Sequence, residues 1–277
     1  MKKTLLIGLA AVALGSMTAC SNILEEEGIV SPSAKTGTLT IALETDGSLD
    51  VATKSESSQV TLTEEQMKVF IVKVNEKTLT NSSYNDNKLT YSENLAVGSY
   101  GVSATYGNMN ANFGWNSPIF EGKTTVNIET LKQTICNLTA KLDNSQITVD
   151  QTSFNAFLTK ANVTSLYVYA GENKPTDESG IYNLITSQNV LETKTLYVKR
   201  GLSNVYIVIK GSLKDDSKTF ELSKSISNET EAAKNYNVKY SIKGDKGSLS
   251  LVISIDGDIT EVPIDAEVDP YTPATNS

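Results

Sequence analysis

Histidine is missing altogether, arginine occurs once, at Arg200, and the 277 residues hold only two cysteines, Cys20 and Cys136. Without histidine the chain lacks the side chain that most often serves as a general base near neutral pH. It also lacks Ser-His or Cys-His nucleophile activation and histidine-bearing zinc sites. A lone arginine leaves almost no material for the planar, two-pronged clamps that grip carboxylates and phosphates. Two cysteines cannot make a disulfide framework, least of all when one of them is spoken for. Long amphipathic helices are also absent; short ones are expected near 63–67, 153–160 and 229–235.

The cysteine that is spoken for is Cys20. Met1-Lys2-Lys3 opens the chain, the apolar run Leu5–Leu14 follows, and Gly15-Ser16-Met17-Thr18-Ala19 leads to the cysteine. A charged start, a short apolar core and small residues make a secretory leader over residues 1–19. The run falls short of the roughly 20 apolar residues that cross a bilayer. Its end, Thr18-Ala19-Cys20, resembles a bacterial lipobox, which implies that Cys20 is lipidated and becomes the first residue of the mature protein. Met17 stands where leucine is commoner. The expectation is a membrane partner reached through acyl chains at Cys20, placing the chain at the cell outer membrane, exposed on the surface. Residues 20–36, with the acidic triplet Glu25–Glu27, then read as a flexible tether. Such a triplet close to the lipid cysteine resembles that of surface-displayed lipoproteins.

The charge balance points the same way. Formal net charge is −8, and loss of a leader carrying Lys2 and Lys3 makes it more acidic. Phosphate backbones and anionic headgroups repel such a surface, so neither nucleic acid nor direct lipid-surface binding is expected, and membrane contact is expected through the acyl chains.

From Gly37 onward the apolar residues alternate. Leu39, Ile41 and Leu43 share one face and threonines the other. The pattern returns at 69–74, 100–106, 124–128, 135–142, 147–149, 166–169, 205–209, 219–222, 236–240 and 249–255. Thr, Val, Ile and Tyr dominate, and turn signals such as Val97-Gly98 separate the runs. Many short half-buried strands predict an all-β chain of antiparallel sandwiches. The number of strands exceeds one sandwich. The expected organisation is an N-terminal sandwich over 37–144 and a C-terminal one over 145–268. A soft break falls at the polar Asp143-Asn144-Ser145, and an extended tail covers 269–277. Cys136, set among apolar neighbours, is expected to be a buried small hydrophobe.

Several segments together carry a resemblance. Leu95-Ala96-Val97-Gly98-Ser99-Tyr100-Gly101-Val102 resembles the strand entry of transthyretin-like and Ig-like surface modules. Tyr106-Gly107 followed by Phe113-Gly114-Trp115-Asn116-Ser117-Pro118-Ile119-Phe120-Glu121-Gly122 is similar to a block of Bacteroides-type fimbrillin-like lipoproteins. The C-terminal runs 249–256 and 259–264 are similar to that group's last strands. The resemblance implies two tandem β-sandwich domains on a surface lipoprotein of a gut-type bacterium. It also implies a role in cell adhesion or as a fimbria-related accessory or anchor subunit, with other surface or fimbrial proteins as partners. Polymerising relatives are cut after an arginine beyond the first strand. Here Val51-Ala52-Thr53-Lys54-Ser55 carries lysine, so a growing shaft fits less well than an anchor, an accessory subunit or a stand-alone adhesin.

Candidate sites are few. No catalytic residue, cofactor or metal site is expected. The carboxylate pairs Glu64-Glu65, Asp177-Glu178 and Asp215-Asp216 are adjacent in sequence, which points them apart on a strand rather than across a cleft. Asp256-Gly257-Asp258 reads as a tight turn before a calcium loop. The one expected ligand loop holds Trp115 between Asn112 and Asn116, an aromatic face with amide groups beside it, as sugar recognition uses. Surface glycan binding, with a host or glycan ligand, is therefore the alternative function.

Overall fold

The computed structural model describes residues 35–50, 59–176, 180–214, 218–226, 228–243, 250–255 and 258–263. Cys20, Glu25–Glu27, Lys54, Asp177-Glu178, Asp215-Asp216, the Asp256-Gly257 turn and the 269–277 tail lie outside them.

The alternating runs become strands, and the chain is all-β with two short helices. The first half contributes β1 (Thr36–Asp46), helix α1 (Glu64–Met67), β2 (Ile71–Val74), β3 (Lys77–Leu79), β4 (Ser82–Asn85), β5 (Lys88–Ala96) and β6 (Gly98–Tyr106). After β7 (Phe113–Trp115) come β8 (Phe120–Ile128) and β9 (Gln133–Leu142). All but β7 join one eight-stranded sheet in the order β3-β2-β6-β8-β9-β1-β5-β4. That sheet folds over on itself. β8 and β9 exchange ladder pairs only at Phe120–Leu142 and Glu121–Lys141, and the halves on either side close over a common core. Leu39, Ile41 and Leu43 from β1, Val72 from β2, Leu89 from β5, Val102 from β6 and Leu138 from β9 share that core. Period-two alternation is what lets each strand give one face to it.

Two helices appear where expected, and local chemistry explains both. Thr63 caps α1 in a reciprocal capping box with Gln66, and Glu64 and Glu65 occupy its positive first turn. Asp150 caps α2 (Gln151–Leu158) by accepting from the Ser153 N–H at 2.7 Å. Phe154 and Phe157, three apart, share the buried face of α2. The third expected helix does not form. Around 229–235 the buried Thr230 hydroxyl donates to the Lys199 carbonyl and accepts from Leu202 N–H, and Ala233 takes φ 55°. Tertiary hydrogen bonds hold that segment as a turn, against a helical preference of a few tenths of a kcal/mol per residue.

The second half supplies β10 (Asn144–Val149), β11 (Ala161–Ala170), β12 (Tyr182–Asn183), β13 (Leu196–Lys199), β14 (Val205–Leu213), β15 (Thr219–Ser225), β16 (Asn235–Lys243), β17 (Ser250–Ile255) and β18 (Asp258–Pro263). They form a six-stranded sheet, β18-β17-β16-β10-β13-β7, and a four-stranded one, β12-β11-β14-β15. Between them lies a second core that includes Phe154, Phe157, Leu166, Ile207, Val238, Tyr240 and Ile253. One glycine there is dictated by space. A Cβ on Gly211 would sit 2.2 Å from the Asn162 carbonyl oxygen, beside the register shift between Val163 and Ser165.

The pairing departs from a purely antiparallel plan in two places. β1 runs parallel to β9 over Thr38–Asp46, and β10 runs parallel to β16 over Gln146–Val149. In each half the opening strand lies between an antiparallel neighbour (β5 or β13) and a parallel one. Alternation reports which face of a strand is buried and is blind to the direction of the strand beside it.

Candidate functional site

Three features of the described surface are places where another molecule could be held. The first is the strap that carries Trp115. Although β7 lies between β6 and β8 in sequence, it pairs with β13 of the six-stranded sheet: Phe113 with Val198, Gly114 with Tyr197, Trp115 with Leu196. Trp115 is half-buried against the second core, with its ring 6.4 Å from that of Tyr182; Phe113 lies 5.0 Å from the same tyrosine. Asn116, at φ 50°, forms a reciprocal clasp with Thr195. Its N–H donates to the Thr195 carbonyl at 2.8 Å, and its Oδ1 accepts from the Thr195 N–H at 2.9 Å. The exposed Asn112 offers its carbonyl to Lys199 N–H at 2.8 Å. Trp115, Asn112 and Asn116 are thus brought together, with the Asn116 oxygen already engaged and the indole partly open to solvent. Phe120, by contrast, is wholly buried in the first core.

Behind the strap lies a buried polar junction that the sequence alone does not reveal. Asn144, 2 % exposed, accepts from Ile119 N–H at 3.0 Å and donates to the Ser117 carbonyl at 3.0 Å. Ser145 donates to the Glu231 carbonyl, and Gln146 donates to the Tyr197 hydroxyl at 2.9 Å. Within the segment read as a polar break, Asn144 and Ser145 are therefore buried and hydrogen-bonded, and Asp143 is half-buried.

The second feature is a cleft of about 370 Å³ beside this junction, lined by Asp46, Glu121, Lys123, Lys141, Asp143 and Arg200 among others. Arg200 Nη1 lies 3.0 Å from Asp143 Oδ1, and Lys123 lies 2.6 Å from Glu121. Burial pushes the Asp143 carboxyl above its ordinary value, and the Arg200 guanidinium pulls back against it. Hydrogen bonds from Ser48 hold Asp46 below the usual carboxylate value. Cations and carboxylates balance here, so the cleft is a small ion-pair network and not a one-sign trap. Only the singular Arg200 could have flagged it in the sequence.

The third feature is backbone. The opening strand β1 is bonded on both sides and has no free edge. Most outermost strands are short or guarded: β3 and β7 have three residues, β4 four, β12 two, and β15 points the 8 % exposed Lys224 inward; β18, six residues long, pairs with β17 alone. The seam between β8 and β9 is held at both ends of its hairpin: Phe120 and Glu121 pair with Leu142 and Lys141, a Cβ on Gly122 would sit 2.8 Å from the Thr139 carbonyl oxygen, and Thr134 Oγ1 donates to the Asn127 carbonyl at 3.2 Å. Among the described strands β18 is the sheet edge best placed to accept an added strand.

Other groups singled out in the sequence take bland positions. Cys136 is a free thiol, 3 % exposed, and burial raises its pKa. Glu64 pairs with Lys68 on the exposed side of α1. Among the described residues no group of three or more His, Cys, Asp or Glu is placed to hold a metal ion. The outer face of the four-stranded sheet carries Tyr167 and Tyr169, with Tyr169 stacked on Tyr206 at 5.2 Å and the Lys174 ammonium 4.9 Å above the Tyr167 ring. The Tyr-x-Tyr spacing on β11 was its signal.

No curated protein matches the chain. Solved structures similar to it include a fimbrial assembly protein from Parabacteroides distasonis, 11 % identical, covering 81 % of this chain and 98 % of that one at a TM-score of 0.40. A proposed cell adhesion protein from the same organism is 8 % identical and covers 87 % and 100 % at 0.45. The tip fimbrial protein Mfa3 from Porphyromonas gingivalis is 9 % identical and covers 79 % and 99 % at 0.36. Residues 35–270 match the family described as a domain of unknown function, DUF4493, and the chain belongs to that family.

Proposed function

We propose that the chain is a non-enzymatic lipoprotein of the bacterial outer membrane, displayed on the cell surface, acting in cell adhesion or as an accessory or anchor subunit related to fimbriae. The observation that carries this reading is the leader ending in Thr18-Ala19-Cys20 in front of a stiff all-β body. An acylated cysteine supplies attachment, and sheets with buried cores supply a rigid binding surface. The β18 edge, with β17 as its one ladder neighbour, supports partner capture by strand addition, with neighbouring surface or fimbrial proteins as the partners. Globomycin treatment and Cys20→Ala should each leave the precursor unprocessed and shift the protein out of the membrane fraction. Protease shaving of intact cells, followed by crosslinking, should then recover a neighbouring surface protein. Unchanged processing and partitioning of Cys20→Ala would remove the reading.

A second reading is glycan capture at the strap. The half-exposed Trp115 beside Tyr182 favours it, because two aromatic faces near one another can stack on a sugar ring. Trp115→Ala should then abolish binding on a glycan array while leaving membrane partitioning intact; an array without hits for the unaltered protein would dismiss it.

A further inference from the structure

One end of the first sandwich breaks two local rules at once. The turn between β8 and β9 places Leu131 at φ 57°, a left-handed conformation that a leucine adopts at a cost and that glycine or asparagine would take readily. The same side chain is 91 % exposed, the most exposed large apolar residue described. The neighbouring turn, between β5 and β6, carries Val97 at its tip, 46 % exposed. Neither contributes to a core, so packing does not account for either of them.

Their position is the informative part. Leu131 N–H donates to the Thr36 carbonyl at 2.8 Å, and Val97 N–H donates to the Lys35 carbonyl at 2.9 Å. Two apolar turn tips therefore flank the point where the chain enters β1, each bonded to one of the first two described residues. Gly37 permits the closeness, since a Cβ there would lie 2.3 Å from the Glu129 carbonyl oxygen. Lys35 lies beside these turn tips, and Lys132 is paired with Glu129 at 2.5 Å. Fourteen residues lie between Cys20 and Lys35, so acyl chains at Cys20 would hold this end within a contour of about 50 Å of lipid.

We infer that this end is a lipid-facing foot: Leu131 and Val97 dip into the leaflet that holds the anchor, with Lys35 and Lys132 at headgroup level. The inference rests on the lipid-anchor reading and deepens it, giving the body a preferred orientation with β1 pointing away from the membrane. The contact is weak alone. Tethering makes it effective, because the anchor holds the foot at high local concentration near its surface.

The test uses the full-length protein carrying Leu131→Cys, Val97→Cys or, as a control in the other half, Val190→Cys, which is 56 % exposed. Cys136 is buried and leaves labelling with a bimane probe selective. Each protein is reconstituted into phosphatidylethanolamine/phosphatidylglycerol vesicles containing doxyl-labelled lipid, and flotation is scored beside quenching. Co-flotation with at least threefold greater quenching at 131 and 97 than at 190 is the expected result. Co-flotation with equal quenching at all three sites would overturn the foot and leave the anchor standing. Crosslinking of position 131 to a second copy or another protein, without lipid quenching, would also overturn it. Failure to float would overturn both readings together.

Discussion

Replacing Asn144 with alanine should cost far more than a surface polar substitution, and the reason is geometric. Its side chain satisfies a buried N–H, that of Ile119, and the carbonyl of Ser117. Ile119 is 5 % exposed, so its orphaned N–H has no route to water and carries the full penalty of about 1–3 kcal/mol. Ser117 is exposed and its carbonyl can rehydrate, adding at most about 1 kcal/mol. The expected loss is about 1–4 kcal/mol, read as a lower urea midpoint at unchanged slope. The single tryptophan of the chain, Trp115, lies two residues from Ser117 on the strap. Its emission should shift to the red in the variant before the main transition, as the strap loosens from β13. Thr38→Ala is the comparison. It removes an exposed side-chain hydrogen bond to Asn94 of similar length, 2.9 Å, and should cost under about 0.5 kcal/mol. An Asn144→Ala protein within about 0.5 kcal/mol of the unaltered one, with unshifted tryptophan emission, would refute the assignment of this junction as a structural clamp.

Three further outcomes follow from the same packing. Tyr240 is buried in the second core with its hydroxyl unpartnered among the described residues, and burial drives its pKa far up; Tyr240→Phe should raise stability by about 1 kcal/mol in denaturant titrations. Cys136 should resist a thiol reagent in the native protein and react with one equivalent after unfolding, since it is both buried and shifted upward. For Asp143, burial disfavours the charged form, so the folded chain holds its proton more tightly than the unfolded chain does. The resulting penalty is present above the folded pKa and relieved as pH falls toward the ordinary carboxylate value of 3.8; Arg200→Ala should move the Asp143 carboxyl resonance to titrate at still higher pH in NMR.

Sequence by itself determined what depends on near neighbours. Leu39, Ile41 and Leu43 alternate and are buried together, short helices form close to 63–67 and 153–160, and Cys136 sits among apolar residues in a core. The aromatic block around Trp115 was visible as a special segment, though not what it grips. Tertiary structure alone decided what depends on distant partners. It set the parallel neighbours of β1 and β10, the crossing of β7 into the other sheet, the burial of Asn144 and Ser145, and the pairing of Arg200 with Asp143. A period of two fixes which side of a strand faces oil; a backbone hydrogen bond can be made with any strand that arrives, and the arrival is settled by the closure of the whole chain.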